Sequence, residues 1–342
     1  MKARHLFLVM MVICFVTAMT LTAGAATFKI KIAHVDTPQS PNHLAFQVFK
    51  KLAEERSNGR IQVSIHPGSA LGTQRESIES AQMGSIELCN STSAIAAVFV
   101  PELFLLDIPF MFNSYEEART AVMSPDILEF FGKGFTEKNI MLMGYMEQGF
   151  RNVTNSKRAI WSLGDFKGLK LRTMEAPLHM ANFKALGASP TPMAFGELFT
   201  AMQQGVVDGQ ENPFYVPWLE KFYEVQKYLS VTNHVYDAMP VVGSKKWFDN
   251  LPPDIQQIVK DSMADAQTYN FSINKKTLDD ALMKLLAVKG FQVNAVPEKQ
   301  LAEIKKVGQE AVMKQLNKRL GKDTVNWWVN RVDEIVQEVR SQ

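Results

Sequence analysis

Two arginines have the chemistry, and the places in the chain, to hold an organic anion. Arg172 lies near the carboxyl end of a strand expected over residues 168–174, just ahead of a helix that Pro177 starts. Ligands of open α/β sheets sit in the crevice outside such strand ends. Alternation puts Leu169, Leu171 and Thr173 on one side of that strand and Lys170 and Arg172 on the other. A guanidinium there presents a rigid fork matched to a carboxylate, and two parallel charge-assisted bonds set orientation as well as adding energy. The same residues also fit a surface arginine paired with Glu175 or with solvent. Arg151 follows Gly149 at the boundary between two α/β patterns, where two domains would meet a shared ligand. Asn212 precedes Pro213, which disfavours the α region, so its side chain leaves a stiff extended backbone. Glu211 and His234 have the types of an acid–base pair, which leaves open an exported lyase or hydrolase acting on carboxylic acids; the plain alternative for His234 is a capped strand end.

Other polar groups carry less. His34, Asp36 and His43 match no metal-ligand spacing and read as a polar loop after the first strand, so no metal is expected. Ser91, Thr92 and Ser93 follow a strand and offer hydroxyls. The chain has no Gly-x-Ser-x-Gly, no His-Glu-x-x-His and no phosphate-binding Gly-x-x-x-x-Gly-Lys, so no local enzyme signature supports turnover and no cofactor is expected.

The elements that must position these groups are legible in outline. Phe195, Leu198, Phe199 and Met202 give a short helix one apolar face, Gly205 stands where it stops, and an Asp208-Gly209 turn leads into the strand that carries Glu211 and Asn212. Strands over 28–35, 61–66 and 86–90 alternate with helices over 42–57 and 74–83, so an α/β fold with a largely parallel sheet is expected. Ser114-Tyr-Glu-Glu117 fits a capping box and Ser124-Pro125 a second helix start. A strand over 140–146 closes the first pattern. The second begins near Gly149 with no flexible tether between, so short crossing strands, a hinge, are the expected connection. From Asp254 to Lys289 there is neither Gly nor Pro, which predicts a helix long enough to span two domains. Helices over 297–320 and 323–339 finish the chain, with Trp327 and Trp328 as anchors on a core.

Composition sets the address. Lys2 and Arg4 precede an apolar run from Leu6 to Leu21 that is nearly long enough to span a membrane, the competing reading, but Ala23-Gly24-Ala25 offers a cleavage site, so residues 1–25 read as a secretory signal peptide. Cys14 lies in that run without the small residues of a lipid-anchored cysteine before it. Of 37 basic and 35 acidic residues in 342, removal of the leader takes two bases and no acid. The mature chain is then formally neutral, which speaks against nucleic acid or an anionic membrane as partner. Only Cys89 remains, a small buried hydrophobe with no disulfide partner.

Several long runs together resemble one family. Thr191-Pro-Met-Ala-Phe195 leading into Val207-Asp-Gly-Gln-Glu-Asn-Pro213 is similar to the signature segment of the solute-binding proteins of TRAP transporters, the DctP type. Gly149-Phe-Arg-Asn-Val-Thr-Asn-Ser-Lys-Arg158, Gly168-Leu-Lys-Leu-Arg172, Lys221-Phe-Tyr-Glu-Val-Gln-Lys227 and Thr232-Asn-His234 extend the match over nearly the whole chain after the leader. The resemblance implies a periplasmic receptor of type II-like two-domain fold, with hinge crossovers and a bracing helix. The first domain would hold 27–148 with 238–277, and the second 149–237 with 278–342. It further implies that Arg172 forms the main salt bridge to a ligand carboxylate and Arg151 a second cationic contact. Asn212 would hydrogen-bond the ligand, Phe195 would line the pocket, and Glu211 and His234 would support Arg151. Thr92 would face the ligand from the first domain, and with Ile95 it stands where sialic-acid-binding members carry a carboxylate and an arginine, which speaks against sialic acid. The partner implied is a permease with small and large membrane subunits driven by a sodium gradient, served by a monomeric receptor. A C4-dicarboxylate is the default ligand, a sugar acid such as a uronate the alternative. A receptor for an ABC importer or a sensor kinase fits less well, given the Gln-Glu-Asn-Pro corner and the unbroken helix.

Overall fold

The computed structural model of the chain describes residues 27–341; the signal peptide expected over 1–25, with Cys14, lies outside the described residues. In chain order the strands are β1 (Phe28–Ala33), β2 (Ile61–His66), β3 (Leu88–Asn90), β4 (Ile140–Phe150), β5 (Asn152–Asn155), β6 (Lys170–Thr173), β7 (Ser189–Pro192), β8 (Gly209–Asn212), β9 (Tyr228–Val231), β10 (Tyr236–Ser244) and β11 (Gln292–Ala295). They form two sheets, ordered β2-β1-β3-β10-β4 and β11-β9-β5-β8-β6-β7.

The sheets are mixed rather than largely parallel. β1 runs parallel to β2 and β3, but β10 is antiparallel to both β3 and β4, and β5 is antiparallel to β8 and β9. The reason is the hinge. β4 leaves the first sheet at Phe150 and the chain enters the second at Asn152, while the return path runs from β9 through residues 232–235 into β10. The two crossings lie side by side: Arg151 N–H donates to Val235 O at 2.8 Å, and His234 N–H donates to Arg151 O at 3.2 Å. Strands that cross between sheets in opposite directions pair antiparallel where they meet, as β4 with β10 and β5 with β9. β4 also runs four residues past its expected end, because its last six residues are all buried and so lack the alternation by which a half-exposed strand is read.

A third connection is helical. One helix, Pro253–Leu286, runs 34 residues, about 50 Å. Its Ile255, Val259, Met263 and Ala266 pack with Phe46, Phe49 and β1 side chains, its Leu278 and Ala281 with Tyr215, Val216 and Phe222, and its Leu285 with Leu229 of the second sheet. The helix therefore takes part in three cores, one on the first sheet and two on the second.

Two expectations about the C-terminus change. Trp328 is fully buried beside Phe131, whereas Trp327 is 37% exposed and lies against Phe130; neighbours on a helix point about 100° apart, so only one of the pair can anchor. The last helix, Lys322–Ser341, also departs from the allotment of 278–342 to the second domain. Val325, Trp328, Val332 and Ile335 join the core that holds Phe104, Phe131 and Ile140, on the side of the first sheet. An apolar stripe shows that a helix docks and leaves its partner open. Ser114 caps its helix, but Glu117 accepts from Asn113 N–H rather than closing a box on Ser114.

Trp328→Ala should destabilise the chain by about 3–5 kcal/mol and Trp327→Ala by far less, as read from urea unfolding midpoints at constant slope.

Candidate functional site

Arg151 sits in the hinge between β4 and β5, 1% exposed. Gly149, at φ 114°, lets the strand bend against the long helix, where a Cβ would meet Leu278 at 2.9 Å. Every N–H of the guanidinium has a protein acceptor. Nε donates to Glu211 Oε2 at 2.5 Å, Nη2 to Glu211 Oε1 at 2.9 Å and to the Glu211 carbonyl, and Nη1 to Gln148 Oε1 at 3.1 Å and to Asp237 Oδ2. Glu211 is on β8 of the second sheet and Asp237 on β10 of the first, so one cation ties both sheets at the crossing. Burial opposes the charge on Arg151, yet the Glu211 and Asp237 carboxylates raise its pKa above the ordinary value. Burial likewise pushes Glu211 up, but Arg151 and His234 hold it well below the usual carboxylate range. Asp237 ends up raised, because burial outweighs its share of Arg151.

His234 completes the support. Its Nε2 lies 3.0 Å from Glu211 Oε2 and its Nδ1 2.8 Å from Thr232 Oγ1. Burial lowers its pKa, so the fitting form is a neutral ring that donates from Nε2 to the carboxylate and accepts at Nδ1 from the hydroxyl. His179, missed in the sequence, approaches Glu211 at 3.8 Å and Asp107 at 3.5 Å. Asp237 was missed as well. Neither carries a local signal, since both act through partners far away in the chain.

The cleft opens in front of this cluster. It is lined from the first sheet's side by Asp36, Gln74, Thr92 and Ile95 and from the second's by Arg172, Met193, Phe195 and Asn212, with Gln148 and Arg151 at the floor; its empty space, counted to the open mouth, is about 560 Å³. The ligand residues expected from the sequence, Arg172, Arg151, Asn212, Phe195 and Thr92, thus share one cavity. Glu211 and His234 are buried behind Arg151 and do not line it.

Arg172 is the unusual member. It is 3% exposed, which removes the surface-arginine alternative, and Glu175 does not pair with it. Nε and Nη2 donate to the Met193 carbonyl at 3.1 and 2.8 Å, and the guanidinium carbon lies 6.0 Å from the centre of the Phe195 ring. Nη1 meets no protein acceptor among the described residues. Burial first, then the charge of Arg151, bring its pKa down to about 10, so at neutral pH it is a buried cation without a counter-ion.

The other lining groups are placed by short local devices. Phe195 opens a 3-10 turn, Phe195–Glu197, that precedes the helix Leu198–Gln203, where one continuous helix was expected. Asn212 pairs with Asn152 across β8 and β5 and donates its amide to Gln210 at 2.5 Å. Thr92 caps a short helix and spends its hydroxyl hydrogen on Gln74 Oε1 at 3.0 Å.

A cleft between two mixed sheets joined by crossing strands, with an unpaired buried cation facing into it, defines a two-domain solute-binding receptor. Residues 32–319 match the family model described as bacterial extracellular solute-binding protein, family 7, DctP, and the chain belongs to that family, the solute-binding proteins of TRAP transporters. A solute-binding protein of Verminephrobacter eiseniae is 41% identical over 262 residues, 75% of each chain. The sugar acid binding protein of Advenella mimigardefordensis, solved with galactonate, superposes with a TM-score of 0.87 at 32% identity, covering 91% of this chain and 99% of that one. A TRAP periplasmic solute-binding protein of a Polaromonas species, solved with D-erythronate, gives 0.82 at 34% identity over 88% and 98%. Members of the family are extracellular substrate-binding receptors of transporters. Among the described residues no helix is long and apolar enough to cross a membrane.

Arg151→Met should cost about 3–5 kcal/mol at neutral pH, because it leaves two buried carboxylates unpaired. The pH slope should change too. In the parent Glu211 titrates below its unfolded value, so its contribution is present above the unfolded pKa and lost as pH falls through the folded one; without Arg151 its folded pKa rises above the unfolded value, and acidification then adds stability. Urea unfolding of both proteins at neutral and mildly acid pH reads the opposite trends.

Proposed function

We propose that the protein captures a small organic acid anion in this cleft and delivers it to a membrane permease with small and large subunits, binding the acid without transforming it. The observation that carries this reading is Arg172: buried, protonated, and without a carboxylate partner. A ligand carboxylate on Nη1 and the free Nη2 hydrogen supplies the missing counter-charge. Such bonds contribute roughly 1.5–3 kcal/mol each, a large share of the roughly 8 kcal/mol that micromolar affinity requires.

Arg151 takes a different part from the second cationic contact that the family resemblance implies. All five of its N–H groups are engaged, so it acts on the ligand through its charge and through Gln148, which it holds at the cleft floor. Phe195 stacks its ring by the Arg172 guanidinium, and Asn212 lines the same cavity. Thr92 and Gln74 form the wall on the first sheet's side, and closure about the paired crossings would bring the walls together on the ligand. Glu211 and His234 support Arg151 from behind and do not reach a substrate. The reading places the receptor outside the cytoplasm, its leader removed, acting as a monomer with an ion-gradient-driven permease. The salt bridge alone suits a C4-dicarboxylate and a sugar acid equally.

Arg172→Ala should fold, melt at or above the parent temperature because a buried unpaired charge is gone, and lose at least ~100-fold in affinity for the acid. Titration calorimetry with organic acids and their uncharged amides measures this. Affinity within a few-fold of the parent would refute the salt bridge.

A further inference from the structure

Asp36, which fits no metal motif, has a position in the cleft that the carboxylate salt bridge does not use. It follows β1, is 4% exposed and lines the cavity. Its backbone carbonyl accepts from Gly68 N–H. Its side chain is held by a relay from the long helix: Asn270 Nδ2 donates to Asn42 Oδ1 at 3.0 Å, and Asn42 Nδ2 donates to Asp36 Oδ2 at 3.1 Å. Oδ1 has no protein donor among the described residues. No cation compensates the carboxylate either. The nearest basic group, His34 Nδ1, is 3.9 Å from Oδ2, but burial and the neighbouring His43 bring the His34 pKa down to about 3, so that ring is neutral. Burial pushes the Asp36 carboxyl up to about 6, with Asn42 pulling it down and Asp237 adding to the rise, and the group is still mostly ionised at neutral pH.

An anion-binding cleft that keeps a rigid, uncompensated carboxylate in its own wall restricts what the ligand can bring there. A second ligand carboxylate would meet a like charge in a site of low dielectric, which is unfavourable. A hydroxyl would give Oδ1 the donor it lacks, in a charge-assisted bond. The rest of the wall agrees with this, since the amides of Gln74, Gln148 and Asn212 and the hydroxyls of Ser69 and Thr73 both donate and accept, as a polyol requires. The remaining cation of the lining, Arg75, lies toward the outside: it also lines a surface groove with Val98 and Pro101 and stands over the Phe99 ring at 6.0 Å.

Resting on the carboxylate-on-Arg172 reading, we infer that Asp36 is the specificity-determining residue of this cleft, accepting a hydrogen bond from a ligand hydroxyl, so that the substrate class is a polyhydroxylated monocarboxylate rather than a dicarboxylate. Arg172 takes the single carboxylate and Asp36 reads the carbon chain beyond it.

The experiment is calorimetry on purified receptor, stripped of ligand by unfolding and refolding, with D-erythronate, D-galactonate, succinate and butyrate as probes. The parent should bind at least one aldonate ~10-fold or more tighter than succinate or butyrate. Asp36→Asn keeps the shape and should melt no lower than the parent, while weakening that aldonate by ~10-fold or more and leaving succinate equal or improved. Asp36→Ala, which removes the acceptor altogether, should weaken the aldonate at least as far. Succinate binding the parent as tightly as the aldonates would overturn the substrate class and point to Arg75 as the second anchor. Unchanged aldonate affinity in both Asp36 variants would overturn the role of Asp36. Both of those failures leave the Arg172→Ala loss intact, whereas aldonate binding that survives Arg172→Ala would defeat the underlying salt bridge instead.

Discussion

The Arg151–Glu211–Asp237 cluster is the constraint on which the rest of the molecule depends. The chain passes from one sheet to the other at Arg151 and returns beside it, and the guanidinium binds a carboxylate from each sheet at that point. A buried ion triad is weak evidence for stability, because desolvation offsets much of the attraction. Its value lies in geometry. With every donor used, the fork has one arrangement in which both carboxylates are met, and that arrangement sets how the two crossings lie against each other and where Gln148 faces the cleft.

Arg172 shows the same residue type under the opposite condition. The two arginines are nearly equally buried, but one is raised in pKa by its carboxylates while the other is lowered by burial and by the first arginine's charge. Hydrogen bonds to a single carbonyl give Arg172 direction without neutralising it. The cluster behind pre-orders the cleft floor, and of its members Arg151 opposes the charge on Arg172 while Glu211 favours it, less strongly than burial and Arg151 oppose it. That difference separates an arginine that builds a hinge from one left uncompensated in the cleft wall.

How much of this was legible in the sequence follows from how local each feature is. The helix Pro253–Leu286 showed as a run without Gly or Pro, and Ile61–His66 and Gln74–Met83 showed by periodicity, because each pattern is written within one element. The cleft-lining residues Arg172, Asn212 and Phe195 were visible as motif runs and as a strand end ahead of a helix. The partners of Arg151 were only half visible. Glu211 sits in the motif, but Asp237 joins through a pairing of β10 with β4 that no local pattern encodes. The same holds for Trp328, whose stripe announced burial without naming the core, and for Asp36, whose meaning depends on Asn42, Asn270 and the cavity rather than on its sequence neighbours.

Arg172 and Asp36 are buried in one cleft with hydrogen bonds but without an ion-pair partner among the described residues, which leaves part of their desolvation cost uncompensated. The two charges are of opposite sign yet do not meet, since Arg172 rests on Met193 and Asp36 on Asn42, in opposite walls. On the proposed reading, a ligand that ends in a carboxylate and carries hydroxyls would satisfy both at once, and the stability added by any such ligand grows as the logarithm of its concentration over its dissociation constant. Contacts of one ligand to both walls require the walls to be near, so such a ligand would favour a closed arrangement. On the proposed reading, the loaded receptor would differ from the empty one in shape as well as in stability, a difference by which a membrane partner could tell the two apart.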